Sequence, residues 1–183
     1  MNKLLDRKLL KKEQRRKDKK ANLLFLLVGL FAFISFLYSN RQYELTIIQF
    51  KYIVIIYAAA GLLFGSLTYW YKKKYQTNPF NEITHFIWAV LIYGSIISAL
   101  ILSINKEFLK SNEYVVKSKI LSRHETFQHG YKFVTIDILG FTQDIHFNNN
   151  ETTEINNSNF VILTLNNGLF GFPVIKDKRL SVN

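Results

Sequence analysis

The sequence predicts a membrane protein with three transmembrane helices and a small C-terminal all-β domain. Three long apolar stretches lie within the first 104 residues. After Ile104 the pattern changes to short runs in which apolar and polar residues alternate, as in β-strands. The chain has 183 residues and no cysteine, so disulfide bonds and thiolate metal sites are excluded.

Residues 1–20 form a basic arm that we expect to be cytoplasmic. They contain ten Lys or Arg and three acidic residues, which gives +7 of the net charge of +11. The arm ends directly before an apolar stretch, where attraction to the anionic headgroups of membrane lipids explains the charge. We therefore expect lipid and not nucleic acid as its partner. The sequence leaves open whether the arm is helical.

The predicted spans comprise residues 21–39, 52–71 and 83–104, within a transmembrane region of residues 21–104. Each is long enough for a helix to cross the hydrocarbon core of a bilayer. No Asp, Glu, Lys or Arg lies inside any of the three. Ionisable groups at that depth are typical of pumps and coupled transporters. Their absence from the sequence of the spans disfavours both classes.

Cations outside the spans predict the topology. Ten precede the first span, two lie in the connector of residues 40–51, and three lie between the second and third spans. The positive-inside rule then puts the N-terminus in the cytoplasm and residues 105–183 outside it. The expected location is the inner or plasma membrane of a bacterium. We expect the connector to follow the membrane interface or to extend the next helix.

Small residues predict how the helices pack. Gly61 and Gly65 form a GxxxG motif in the second span, and Gly94 and Ser98 lie on a similar face of the third. Such faces let two helix backbones approach closely. We expect these two faces to pack against each other within one molecule. The oligomeric state stays open.

The predicted β domain comprises residues 112–177. Alternation and turn residues place strands at 114–123, 131–139, 141–147, 160–166 and 169–175, and residues 148–158 form an exposed loop. Asn167-Gly168 predicts a tight hairpin, and Pro173 predicts an edge strand or an interruption. Five short strands in about 65 residues indicate a bent sheet or partly open barrel, SH3-like or OB-like.

The final hairpin carries a resemblance to known proteins. It reads VILTLNNGLFGFPVI over residues 161–175. With the preceding spans, it resembles a loose group of uncharacterised bacterial multi-pass membrane proteins that have a small extracytoplasmic β domain. The resemblance covers about the last 65 residues. It implies architecture only and assigns no site residues.

The β domain contains few residues that suggest catalysis. His124, His129 and His146 form a weak polar cluster, and two or three histidines without a recognisable ligand spacing do not predict a metal site. Asp137 and Asp144 lie on strands joined through Leu139-Gly140. We interpret them as solvated acids on the face of the strands and not as a catalytic carboxylate pair. The sequence contains no phosphate-binding loop, HExxH or GxSxG motif. We expect no enzyme and no cofactor.

Three functional hypotheses remain from the sequence. The first is a non-enzymatic membrane protein whose β domain binds a protein or envelope component, with a toxin-protective immunity protein as one version. The second is a channel or transporter subunit, in which the small faces of two spans assemble a pore. The third is a membrane-embedded enzyme that uses His85 or the exported His and Asp residues.

Overall fold

The computed structural model describes residue 23 and residues 26–75, 81–125, 132–147 and 152–182. The predicted basic arm of residues 1–20 lies outside this part of the chain. Within it the chain forms helices at its N-terminal side and a curled antiparallel sheet at its C-terminal side.

The helical region contains three long helices among the described residues. Helix α1 comprises residues 26–44, α2 Phe50–Tyr75 and α3 Glu82–Glu107. Asn81 caps α3, because its side chain accepts a hydrogen bond from the backbone N–H of Thr84 (3.1 Å). In the first predicted span, residues 26–39 are helical, and residues 21, 22, 24 and 25 lie outside the described part.

Two helices have the composition of membrane spans, as far as the described residues go. They are Phe50–Lys74 and Glu82–Glu107. Within their most apolar 18 residues, only 17% and 33% of positions are buried. The core helix of a soluble protein would bury most of such a surface, whereas a bilayer accepts it. These two helices indicate a membrane location.

The sheet has five strands in the order β3-β2-β1-β4-β5. The strands are β1 Glu113–Glu125, β2 Lys132–Ile138, β3 Phe141–Phe147, β4 Phe160–Asn167 and β5 Pro173–Ser181. The long central strand β1 pairs with β4 through its first half and with β2 through its second half, with an irregularity between Ile120 and Ser122. Because a bulge bends a strand and increases its twist, the sheet curls into a half-barrel.

The core of the β domain lies inside this curled sheet. Val134, Ile136 and Ile138 of β2 form one buried stripe, and Ile145 and Phe147 of β3 form another. Strand β4 contributes Val161, Leu163 and Leu165, each fully buried. The two-residue alternation in the sequence thus marks the inward side of these strands.

The last hairpin differs from its prediction. Strand β5 begins at Pro173 and continues to Ser181, so it starts four residues later than predicted and the domain extends beyond residue 177. Asn167 pairs with Pro173, and residues 168–172 form the loop. Asn167-Gly168 therefore does not form a two-residue turn, and neither residue has a positive φ. Pro173 begins an edge strand, where its missing N–H costs no ladder bond.

The tight turn lies instead at Leu139-Gly140, between β2 and β3. Ile138 pairs with Phe141, so these two residues alone form the loop. Their φ angles are 53° and 81°, the left-handed values that a type I′ turn requires.

Residues 152–157 correct the prediction of an exposed loop at 148–158. Thr152–Asn157 form a short helix, α4, and residues 148–151 lie outside the described part. Ile155 of α4 is only 1% exposed and belongs to the core. One apolar side chain in a polar stretch thus ties the segment to the sheet. Burying it is worth about 1.5–3 kcal/mol.

Residues 45–49 of the connector, between α1 and α2, contact the β domain, which the sequence analysis did not predict. The N–H of Ile47 donates to the carbonyl of Pro173 (2.7 Å), and the N–H of Ile175 donates to the carbonyl of Leu45 (2.8 Å). The Ile47 side chain is 2% exposed and lies in the domain core. The connector therefore covers the edge of β5 at residues 173–175, where unpaired backbone groups would otherwise remain.

Asn105, near the end of α3, holds the loop between β4 and β5. Its side-chain Nδ2 donates to the carbonyl of Phe172 (2.9 Å), and its Oδ1 accepts from the N–H of Phe170 (3.0 Å). Asn105 is fully buried, and a methyl group at Gly168 would overlap its amide. The connector and the end of α3 therefore attach the β domain to the same end of the helices.

Candidate ligand site at the junction of helices and sheet

The predicted glycines lie where α2 and α3 approach each other. A Cβ at Gly61 would overlap Val90 of α3, and a Cβ at Gly94 would overlap Tyr57 of α2. A Cβ at Gly65 would crowd Ala89 and Phe86 of α3. Absent side chains thus permit close packing between two helices of one chain.

Ser98 contacts α1. Its hydroxyl and that of Ser39 form a buried hydrogen bond (2.5 Å). Ser39 belongs to a row of small or polar buried positions on α1 that the sequence analysis did not single out, namely Ala32, Ser35, Ser39 and Gln42. Their spacing of three and four residues places them on one side of the helix.

Two histidines of the β domain, His124 and His146, lie in the part of the chain that the structure describes. His124 of β1 stacks on Phe133 of β2, with ring centroids 4.7 Å apart. His146 of β3 packs on the same phenyl ring at 5.4 Å. Phe133 therefore separates the two imidazoles, and His129 lies outside the described residues. Within the described ranges, no group of three or more His, Cys, Asp or Glu side chains is arranged to hold a metal ion.

Asp137 and Asp144 share the outer side of the β2–β3 hairpin but are not paired with each other. Asp137 lies opposite Thr142, and Asp144 lies opposite Thr135. The Thr135 hydroxyl donates to Asp144 Oδ1 at 2.6 Å. Both carboxyl groups are exposed.

His85 lies at the far end of the helices from the β domain. Its Nε2 is 3.0 Å from the carbonyl oxygen of Gly65 and 3.3 Å from the Thr68 hydroxyl. Its Nδ1 is 3.3 Å from Lys72 Nζ. These contacts join the first turn of α3 to the last turns of α2. His85 therefore links the start of α3 to the C-terminal part of α2.

A cavity lies between the end of α1 and the edge of β3. It has a volume of about 260 Å³. It is lined by polar side chains, which are Asn40, Tyr43 and Glu44 from the α1 end and Thr142, Gln143, Asp144 and His146 from β3. We call it the polar cavity.

An apolar groove adjoins the polar cavity. The groove lies mainly between α1 and α2 and has a volume of about 490 Å³, within the range of small-molecule sites. Asn40 and Tyr43 line both spaces. The rest of its wall is mostly apolar and includes Phe36, Phe50, Ile53, Val54, Tyr57 and Ala58. We call the polar cavity and this apolar groove together the cleft.

Gln143, one of the residues that line the polar cavity, holds the connector to β3. Its Nε2 donates to the carbonyl of Thr46 (2.9 Å). Its Oε1 is buried and has no hydrogen-bond partner among the described residues. A buried oxygen without a donor costs about 1–3 kcal/mol.

Tyr43 lines both parts of the cleft, and the pKa of its phenol is raised. Burial raises the pKa of its phenol above the usual 10.0, and the negative charge of Asp144 raises it further. The hydroxyl therefore keeps its proton at neutral pH and remains a hydrogen-bond donor.

The sequence analysis did not identify Tyr43, Glu44 or Gln143. One signal was available: Gln143 occupies an inward position of β3, between Phe141 and Ile145, where the alternation calls for an apolar residue. Tyr43 and Glu44 gave no signal, because only the fold brings the end of α1 to the edge of β3.

The cleft can hold an amphipathic molecule, with its apolar part between helices and its polar part against the sheet. Hydrogen-bonding and acidic side chains line its polar part. Comparison of the chain with protein-family models, curated proteins and solved structures finds no match.

Proposed function

We propose that the chain is an integral membrane protein with three spans, whose β domain binds an envelope component at the outer surface of the bacterial inner or plasma membrane. In this proposal residues 21–39 are the first span, the N-terminus is cytoplasmic, and the small barrel is of the SH3-like or OB-like kind. The role is binding and not catalysis. The observation that carries it is the cleft at the junction of helices and sheet.

The contacts of the connector support this topology. The connector and the end of α3 both contact the β4–β5 hairpin. The first loop and the C-terminal domain therefore belong on the same side of the bilayer, as three spans require. The alternation of cations in the sequence points to the same arrangement.

The channel alternative receives less support from the packing of the helices. A pore made from the small faces of several copies needs those faces to be available between chains. Gly61 and Gly94 lie against side chains of the same molecule. A toxin-protective role remains one version of the binding function, with the toxin as the envelope component.

Site-specific photo-cross-linking in intact cells tests the binding function. A photoreactive amino acid replaces Thr142, which lines the polar cavity, or Leu139, which lies at the open tip of the same hairpin. We expect a defined adduct with an envelope component at position 142 and much less at position 139. Equal labelling at the two positions, or no adduct at either, would contradict the proposal.

Reporter fusions test the topology independently. A reporter that is active only outside the cytoplasm and one that fluoresces only inside are placed after residue 78 and after residue 183. We expect an inside signal at residue 78 and an outside signal at residue 183. An inside signal at residue 183 would mean that the orientation or the number of spans is wrong.

A further inference from the structure

The ligand of the cleft follows from its chemistry, and this step rests on the proposed binding function. We propose that the cleft binds a membrane phospholipid with a primary ammonium headgroup. One acyl chain lies in the apolar groove, and the ammonium group lies in the polar cavity.

The depth of the groove matches an acyl chain. On α2 the groove extends from Phe50 to Ala58, eight residues or about 12 Å of helix. Phe50 follows the connector, so the groove begins at the end of the helices that carries the β domain. Since the hydrocarbon core of a bilayer is about 30 Å thick, this depth lies within one leaflet.

The polar cavity is rich in acceptors and acidic groups. Its lining includes two acidic residues, Glu44 and Asp144. Among the described residues that line it there is no Lys or Arg. A primary ammonium group carries three N–H donors and a positive charge, so it satisfies these acceptors. An anionic headgroup would meet repulsion from the same carboxylates.

The boundary between the two spaces suits the phosphate. Asn40 and Tyr43 lie where the headgroup would pass from the groove to the cavity, and both carry hydrogen-bond donors. The protonated phenol can donate to a phosphate oxygen. The cleft thus places donors beside the phosphate and acceptors beside the ammonium group.

The experiment measures which lipid the full-length protein retains. The protein is reconstituted in vesicles of equimolar phosphatidylethanolamine, phosphatidylglycerol and phosphatidylcholine with identical acyl chains, then extracted into mild detergent for native mass spectrometry. We expect phosphatidylethanolamine to be retained about tenfold over each of the others, a preference of about 1.4 kcal/mol. Phosphatidylcholine tests the N–H donors, because its quaternary ammonium group has none.

Two variants locate the bound lipid in the cleft. The double change Glu44→Gln and Asp144→Asn should remove the preference for phosphatidylethanolamine, whereas Asp177→Asn on the exposed side of β5 should keep it. Val54→Trp fills the groove and should reduce retention of every lipid, whereas Leu62→Trp, at an exposed position of α2 away from the groove, should not. Thermal unfolding of each variant verifies that it is folded.

Equal retention of the three lipids, a preference for phosphatidylglycerol, or a preference that survives the double change would overturn the lipid assignment. The cross-linking experiment separates this failure from failure of the binding function. A protein adduct at position 142 would keep the binding function and reject the lipid. No adduct above the level at position 139 would reject the binding function itself.

Discussion

The two hairpins of the β domain show how tertiary contacts change the meaning of a local sequence signal. The β2–β3 hairpin turns at Leu139-Gly140, and its tip is exposed. The β4–β5 hairpin turns through residues 168–172 and is attached to Asn105 of α3. Asn167-Gly168 has the stronger turn signal, yet the tight turn forms at Leu139-Gly140. A loop that docks on a helix is shaped by that helix.

The outer strands of the two hairpins differ in the same way. The connector pairs with β5 through backbone hydrogen bonds. The Gln143 side chain of β3 donates a hydrogen bond to the Thr46 carbonyl of the connector, and the polar cavity lies beside that contact. The connector thus covers the edge of β5 at residues 173–175, whereas a cavity remains beside the edge of β3.

Removing the anchor of the β4–β5 hairpin should have the largest effect. Asn105→Leu leaves the Phe170 N–H and the Phe172 carbonyl without their partner in a buried site. We expect the free energy of unfolding to fall by about 2–4 kcal/mol. Thermal unfolding of the full-length protein in mild detergent measures it. Asn159→Leu, which removes an exposed hydrogen bond to Val182, is the matched control and should cost less than about 1 kcal/mol. Equal losses in both variants would contradict the anchor role.

A glycine substitution in each hairpin should separate crowding from backbone strain. Gly168→Ala overlaps the Asn105 amide and should cost about 1–3 kcal/mol. Gly140→Ala has open space around the new methyl group but a φ of 81°, so it should cost about 1 kcal/mol. In an Asn105→Ala background, the cost of Gly168→Ala should shrink and that of Gly140→Ala should not. A double-mutant cycle on thermal unfolding gives both couplings.

A residue that tolerates positive φ should stabilise the β2–β3 hairpin at position 139. The same residue should bring no gain in the β4–β5 loop. Leu139 is 62% exposed and has a φ of 53°, a conformation that asparagine tolerates better than leucine. We expect Leu139→Asn to raise the free energy of unfolding by about 0.5–1 kcal/mol. Leu169→Asn in the β4–β5 loop, where φ is negative, should bring no such gain. A decrease at position 139 would show that the leucine side chain makes a contact of its own.

The smallest effect concerns the phenol beside β3. Burial is the larger cause of the raised pKa of Tyr43, and Asp144 is the smaller one. Asp144→Asn should therefore lower the pKa of Tyr43 but leave it above 10.0. Absorbance titration is performed with and without a Tyr43→Phe change, and the difference between the two curves gives the titration of this tyrosine. Because the folded pKa is raised, the contribution of Tyr43 to stability is complete below pH 10 and is lost as the pH rises through the folded value. An unchanged pKa of Tyr43 in Asp144→Asn would contradict an electrostatic interaction between Asp144 and Tyr43.

Much of the fold could be predicted because its signals are local. Alternation located β1 to β4 within about two residues, since each strand buries one side. The start of β5 was wrong, because Pro173 and the docking of the loop moved it. Helix α4 was missed, because Ile155 alone carries its apolar contact and a single residue makes no pattern.

The candidate site was the least predictable part. Asp144 and His146 were singled out from the sequence, and Gln143 carried a further signal, a polar side chain at an inward position. Glu44 and Asp144 are about a hundred residues apart in the sequence and meet only through the curl of the sheet. The histidines of the β domain drew attention as residue types, and their spacing in the sequence gave no sign that the Phe133 ring lies between two of them.

The sequence by itself determined that long apolar helices precede an alternating β region, because hydrophobic periodicity and length follow directly from residue order. It also determined which sides of the strands are buried. Only the tertiary structure decided that the connector joins the sheet, that Asn105 shapes the last hairpin and that a cleft opens between α1 and β3. These features depend on contacts between distant segments, and no local pattern encodes the free energy of such contacts.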